Sequence, residues 1–185
     1  MPSSFSHAAA GLALGSAFRP TVAPVRFWLL VGLCAVLPDI DWLGRPFGIP
    51  YDHLLGHRGV THSVCFAALL GAAVTWTAFR TPEFAGVRGR LWVCFTLATV
   101  SHGVLDALTT YGQGVAFAAP FTTERFSFPW HPIGAIGPHT PRRFVDQQIV
   151  AVVLNELLWI WLPSALFAGA VLVRHRRHGS ASAAA

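Results

Sequence analysis

Charge is what this sequence has least of: Asp, Glu, Lys and Arg together make up 11% of its 185 residues, and none of them is Lys. Soluble domains carry about 25% charged residues, so the chain lacks the polar surface to face water on every side. Cysteine is scarce as well. Cys34, Cys65 and Cys94 fall singly in three apolar runs with no CxxC spacing, which excludes a disulfide framework and a thiolate metal knuckle and leaves small buried side chains. No basic residue precedes Ala8, so the first apolar run lacks the charged start of a secretory signal and reads as part of the mature protein. No internal repeat of fixed period is visible.

What is present is apolar. Hydrophobic residues make up 54% of the chain, and the mean hydropathy is +0.53. Five apolar segments can be marked, at about 6–18, 24–43, 61–79, 91–111 and 147–173. A helix needs about 20 residues to cross the hydrocarbon core, and backbone groups in lipid must be satisfied within their own segment. The expected fold is therefore all-α: a polytopic membrane bundle of about four to five helices, forming one domain over 1–178 with a small polar tail, 179–185, expected to be disordered. The first segment is short. Gly11 and Gly15 give it a small-xxx-small face for close packing on a neighbour.

All 13 basic residues are Arg, and they lie between the apolar runs and in Arg174, Arg176 and Arg177. That is a membrane-loop pattern rather than a nucleic-acid face, and no nucleic-acid partner is expected. If all five segments cross, eight Arg fall on the side of loops 19–26, 80–90 and the C-terminus, and five on the other. The bias favours the first side as cytoplasmic. The lipid bilayer is the expected partner, together with a small-molecule or lipid substrate.

Ionisable residues inside membrane segments are costly and mark function. Here they gather. His7 starts the first segment, Asp39 and Asp41 end the second, His57, Arg58 and His62 precede or start the third, and His102 and Asp106 lie late in the fourth. In alternating helices these ends share one membrane level. His102 and Asp106 are four apart, so both side chains lie on one helix face. Asp39 and Asp41 would diverge on a regular helix, but Pro38 and the helix end predict irregular backbone there, which lets both face the site.

Imidazole nitrogen and carboxylate oxygen suit a divalent ion, zinc first, with manganese or iron as alternatives. The expected ligands are His7, Asp39, Asp41, His62, His102 and Asp106. A metal would lower the pKa of a bound water, a spare carboxylate such as Asp41 could act as general base, and His57 stands next in line, since one of His57 and His62 is expected to reach the ion directly. Arg58 is the candidate anchor for an anionic group. The same residues would also serve a proton relay in a transporter, or a metal that only ties helices together.

Weaker candidates lie elsewhere. Glu156, beside Asn155, either joins the site or bonds a helix. His131 and His139 read as loop histidines. Phe117, Phe121, Phe126, Phe128 and Trp130, with Arg125, Arg142 and Arg143, would suit a loop lying against the lipid interface and its phosphates.

The strings LPDID, GHRGVTHS and SHGVLDALTTYG, followed by APFTTERFSF, resemble the bacterial membrane-bound metal-dependent hydrolases, the LexA-regulated, YdjM-like family. The match runs from about His7 to Phe128. It implies a multi-pass protein of the bacterial inner membrane and a hydrolase, and says little about what is cleaved. A fainter similarity, carried by His102 and Asp106 alone, is to the helical zinc phospholipase C group, and it suggests a phosphoester.

Overall fold

The computed structural model describes residues 2–20, 24–135 and 142–183, with side chains for all of these except 142–147 and 178–183. Every regular element among them is helical. Helix α1 spans Ser4–Phe18, α2 Val25–Val36, α3 Val64–Ala78 and α4 Arg88–Ala107. The fifth helix is α5, Arg142–Glu156, running through a π-helical turn, Leu157–Trp161, into α6, Leu162–Ala183. It begins inside the expected 112–146 loop and continues into the tail expected to be disordered.

The boundaries follow from local chemistry. Pro38 has no N–H to offer the carbonyl four residues back, and α2 gives way at Leu37 to a 3-10 helix, Leu37–Phe47, closed by Gly48 in the left-handed conformation. Ser63 caps α3 by accepting from the Phe66 N–H at 3.0 Å, which separates α3 from a 3-10 turn, Val60–His62, that the hydropathy pattern merges with it. Helix α4 stops at Ala107, before Thr109 turns its hydroxyl back onto the Asp106 carbonyl at 2.7 Å.

Among the described residues, two helices are long and apolar enough to cross a membrane, Val25–Phe47 and Gln148–Arg177. The apolar window of the second is only 11% buried. Its large apolar side chains, among them Leu154, Leu158, Leu166 and Phe167, point outward, as a lipid-facing helix requires. Helix α3, at 15 residues, is shorter.

Helix α1 packs against α2, α4 and α6, and α3 lies on α4. A methyl group placed on Gly11 would collide with the Ala35 Cβ, so the α1–α2 crossing depends on that hydrogen. The apolar core joins the start of α2 (Phe27, Val31, Cys34), the end of α3 (Phe79) and the first half of α4 (Leu91, Cys94, Phe95, Ala98). The opposite end of the same helices is left for polar residues.

Glu156 is committed to the start of α1 rather than to the donor groups of that polar end. Its buried carboxylate accepts from the Ser3 N–H at 2.7 Å, the Ser3 hydroxyl at 2.6 Å and the Ser6 hydroxyl at 2.5 Å. Trp161 Nε1, one helical turn on, donates to Ser6 Oγ at 2.9 Å. The clamp satisfies orphan donors at the start of α1 and fixes α1 to the last helix. Asn155 holds the long loop instead, accepting from the Gly134 N–H at 2.7 Å and donating to the Pro132 carbonyl at 2.9 Å.

Two expectations follow. Gly11→Val should cost about 1–3 kcal/mol through overpacking, read as a lower unfolding midpoint in detergent; an unchanged midpoint would contradict the close crossing. Glu156→Ala should cost about 1–3 kcal/mol for each donor left buried without a partner. Adding Ser3→Ala should then cost little more, because the two act as a unit; full additivity in that cycle would argue against the clamp.

Candidate metal centre

Four donor atoms converge where α2 ends and α4 ends. His62 comes from the Val60–His62 turn, His102 and Asp106 from α4, and Asp39 from the 3-10 helix. One nitrogen or oxygen from each lies within 4.8 Å of all the others. His102 Nε2 is 3.3 Å from Asp39 Oδ1 and 3.8 Å from Asp106 Oδ2. His62 Nε2 is 3.4 Å from Asp106 Oδ2 and 3.9 Å from Asp39 Oδ1. Ligands about 2.0–2.1 Å from a zinc ion, set at tetrahedral corners, stand about 3.3 Å apart, so the spacing suits a four-coordinate ion.

Hydrogen bonds from the rest of the described chain leave these atoms unsatisfied, although Arg58 Nε faces Asp106 Oδ2 at 3.1 Å. His62 Nε2, His102 Nε2, Asp39 Oδ1 and both Asp106 oxygens are buried without a hydrogen-bond partner. Each such group costs about 1–3 kcal/mol when nothing satisfies it. Five in one place, on two imidazoles and two carboxylates, form a group that could hold a metal ion, and these donor types suit zinc, manganese or iron.

The other ring nitrogens are taken. His102 Nδ1 donates to the Ala35 carbonyl at 2.8 Å, one of the carbonyls at the end of a helix that have no intrahelical partner. His62 Nδ1 sits 3.1 Å from Asp41 Oδ2. In each case the proton on Nδ1 leaves the Nε2 lone pair aimed at the centre, the arrangement that orients metal-binding histidines.

Asp41, also expected as a ligand, stands behind His62, outside these four donors, in a second group with His57 and His62 whose donor atoms likewise lie within 4.8 Å of one another. Its Oδ1 accepts from His57 Nδ1 at 2.8 Å, and its Oδ2 accepts from the Arg58 N–H at 3.0 Å and from Thr61 Oγ1 at 2.7 Å. The Leu37–Phe47 3-10 helix is what lets Asp39 and Asp41 take opposite sides of the His62 ring. His7 lies against the centre: its ring stacks on His102 at 3.6 Å between centroids, its Nε2 is 3.8 Å from Asp106 Oδ1, and neither of its nitrogens has a hydrogen-bond partner.

Arg58 is buried and already engaged. Its backbone is left-handed, φ 62°, a conformation that costs a non-glycine residue about 1–3 kcal/mol. It turns the N–H onto Asp41 while the side chain runs to α4. Nε lies 3.1 Å from Asp106 Oδ2, Nη1 donates to the Tyr111 carbonyl and Nη2 to Thr109 Oγ1, both at 3.2 Å. Gly112, at φ +125°, closes over the guanidinium, and a Cβ there would strike Nη1. The expected anion anchor is thus the counter-charge of Asp106. Arg125 also turns inward, contrary to its expected place among lipid phosphates. It donates to the carbonyls of His57 at 3.0 Å and Tyr51 at 2.5 Å, with its guanidinium 4.6 Å over the Tyr51 ring. Burial lowers its pKa below the usual arginine value.

His131 is exposed and meets Ser127 away from the centre. His139 and the side chains of Arg142 and Arg143 lie outside the described residues. Phe121 and Trp130 are exposed, as an interfacial loop would have them, whereas Phe117 packs on Phe126 and closes over Gly103. The residues that sequence reasoning passed over are Thr61, Thr109 and the Ala35 carbonyl. The two threonines stand inside the GHRGVTHS and SHGVLDALTTYG strings, the signal that was there to use; a backbone carbonyl leaves none.

A cleft of about 750 Å³ opens beside the centre. It is lined by Asp41, His57 and Arg58 at its inner end and by Trp42, Arg45, Tyr51 and Tyr111 further out.

The family described as YdjM inner membrane protein matches residues 1–178. The chain is 35% identical over 176 residues to the inner membrane protein YbcI of Escherichia coli (strain K12), covering 95% of this chain and 100% of that protein. No solved structure matches. A match over nearly the whole length, with the polar centre held inside an apolar exterior, means that this chain belongs to the YdjM inner membrane protein family.

Proposed function

We propose that this protein is a multi-pass, metal-dependent hydrolase of the inner membrane, acting on a phosphoester or lipid-like substrate near the interface. The observation that carries the reading is the set of buried, unpartnered donor atoms on Asp39, His62, His102 and Asp106 beside an open cleft. The cleft reaches Asp41, which bonds His62, and Arg58, which pairs with Asp106; an open position beside the ion is what a catalytic site keeps and a closed structural one lacks.

Asp39 and Asp106 through oxygen, with His62 and His102 through Nε2, would hold a divalent ion, zinc or, failing that, manganese or iron, and His7 stands beside them. When bound, the ion supplies Lewis acidity and a water of lowered pKa. The remaining chemistry belongs to the chain. Asp41 fixes His62, and the Ala35 carbonyl fixes His102. Arg58 keeps Asp106 ionised and in place by a buried opposite charge. His57 lines the cleft with its Nδ1 proton held on Asp41 Oδ1. A proton taken up by His57 during turnover would find its counter-charge in Asp41, which makes the pair the candidate general base.

Metal content by mass spectrometry on detergent-purified protein tests this. Wild type is expected to carry near-stoichiometric metal and the His102→Ala, Asp106→Ala double mutant almost none, with phosphoester hydrolysis lost in step. Absence of metal from reconstituted wild type would sink the hydrolase reading. Bound metal with no hydrolysis of any phosphoester would favour a structural ion. Asp41→Asn should weaken metal binding about 10- to 100-fold, as loss of an orienting partner does, without abolishing it; unchanged affinity would remove Asp41 from its place behind His62.

A further inference from the structure

With Arg58 committed to Asp106, Thr109 and Tyr111, the cleft needs another cation if it is to take an anion. Arg45 supplies one. It is exposed on the cleft wall, its guanidinium lies 5.2 Å from the Trp42 ring centroid, and it forms no ion pair among the described residues. Trp42 in turn lies against His57, with ring centroids 4.7 Å apart, and His57 bonds Asp41. A continuous wall thus leads from Arg45 to the candidate metal centre. Tyr51 lines the same cleft and has a phenolic oxygen with no hydrogen-bond partner.

The outer side of this wall is apolar. The 3-10 helix turns Asp39 and Asp41 inward and Ile40, Leu43 and Phe47 outward, and Phe47 is 83% exposed. These side chains flank Arg45 in the chain, at the end of an apolar span in a protein of an inner membrane family. A cleft that has Trp42, Ile49 and Pro50 in its own lining beside Arg45, with Ile40, Leu43 and Phe47 exposed on the adjoining stretch of chain, suits a molecule with a charged head and a hydrocarbon tail, because each part meets its own solvent.

Resting on the hydrolase reading, we infer that the substrate is a lipid phosphate ester. Arg45 binds its phosphate by charge-assisted hydrogen bonds, and Ile40, Leu43 and Phe47 receive its acyl chains from the bilayer. Arg45, rather than Arg58, is the residue that selects for phosphate.

The test is calorimetric titration of full-length, detergent-purified protein with two probes, inorganic phosphate and dihexanoyl phosphatidic acid. Metal content is measured on the same samples. Arg45→Gln is expected to weaken both probes about ten-fold, the change that follows loss of one charge-assisted hydrogen bond, while Arg45→Lys recovers part of it. Arg90→Gln, an exposed arginine outside the cleft, should change neither. Phe47→Ser should weaken the lipid probe alone. Equal binding of both probes by Arg45→Gln and wild type would overturn the anchor. An Arg45-dependent phosphate site that gains nothing from acyl chains and ignores Phe47→Ser would overturn the lipid and leave a soluble phosphoester. Absence of metal from the wild type sinks the hydrolase reading separately, since Arg45-dependent binding needs no turnover.

Discussion

The His62 imidazole has Asp41 on one nitrogen, while Asp39 and Asp106 face the other. Three carboxylates around one buried ring is an arrangement that mutual repulsion would break unless positive charge stood among them. Arg58 supplies one such charge, against Asp106, and the N–H and hydroxyl groups of Arg58 and Thr61 meet Asp41. Asp39 Oδ1 and the two Nε2 atoms have no hydrogen-bond partner among the described residues. The chain's own hydrogen bonds therefore satisfy the outer side of the ring and leave the inner side for something else. A divalent cation answers both the charge and the missing partners, and few other ligands do.

Placing these groups requires close backbone approach in several places, and the sequence meets that with small residues and broken helices. Gly11 lets α1 lie on α2, which brings the His7 ring onto His102. Pro38 ends α2 early enough to expose the Ala35 carbonyl to His102 and to wind Asp39 and Asp41 around His62. The left-handed turn at Arg58 lets one residue serve Asp41 with its backbone and Asp106 with its side chain. The centre thus depends on four separate stretches of chain, α1, the Leu37–Phe47 helix, the turn that ends at His62 and α4, that only the folded bundle brings together.

That division explains what could be read in advance. The i, i+4 pair His102 and Asp106, the break at Pro38, and the gathering of His7, Asp39, His62 and His102 at one end of the bundle all follow from local sequence and helix direction. The all-helical bundle follows from the same apolar runs. The fates of Arg58, Arg125 and Glu156 do not. Their partners are mainly backbone carbonyls of Tyr51, His57 and Tyr111, the hydroxyl of Thr109, or the serines that start α1. Such partners depend on the paths of the 48–63 and 108–135 segments, which carry no periodicity. An arginine in a membrane loop looks the same whether it faces a phosphate or a carbonyl. Helix ends misread for a related reason: Ser63 and Thr109 sit within apolar runs, yet their hydroxyls cap or turn the chain.

The last helix shows how a part without ligands can still govern the site. Asn155 and Glu156 are neighbours at the point where α5 enters its π-helical turn. A π turn rotates the residues after it relative to a regular helix, and such turns are enriched where function constrains the backbone. Here the turn carries Trp161 to the same Ser6 hydroxyl that Glu156 binds, while Asn155 holds the loop at Pro132 and Gly134. One side of this pair fixes the helix that bears His7. The other fixes the segment whose beginning, at Thr109 and Tyr111, holds Arg58. A helix whose apolar side chains are exposed along most of its length thus sets two of the groups around the centre through a single pair of polar residues.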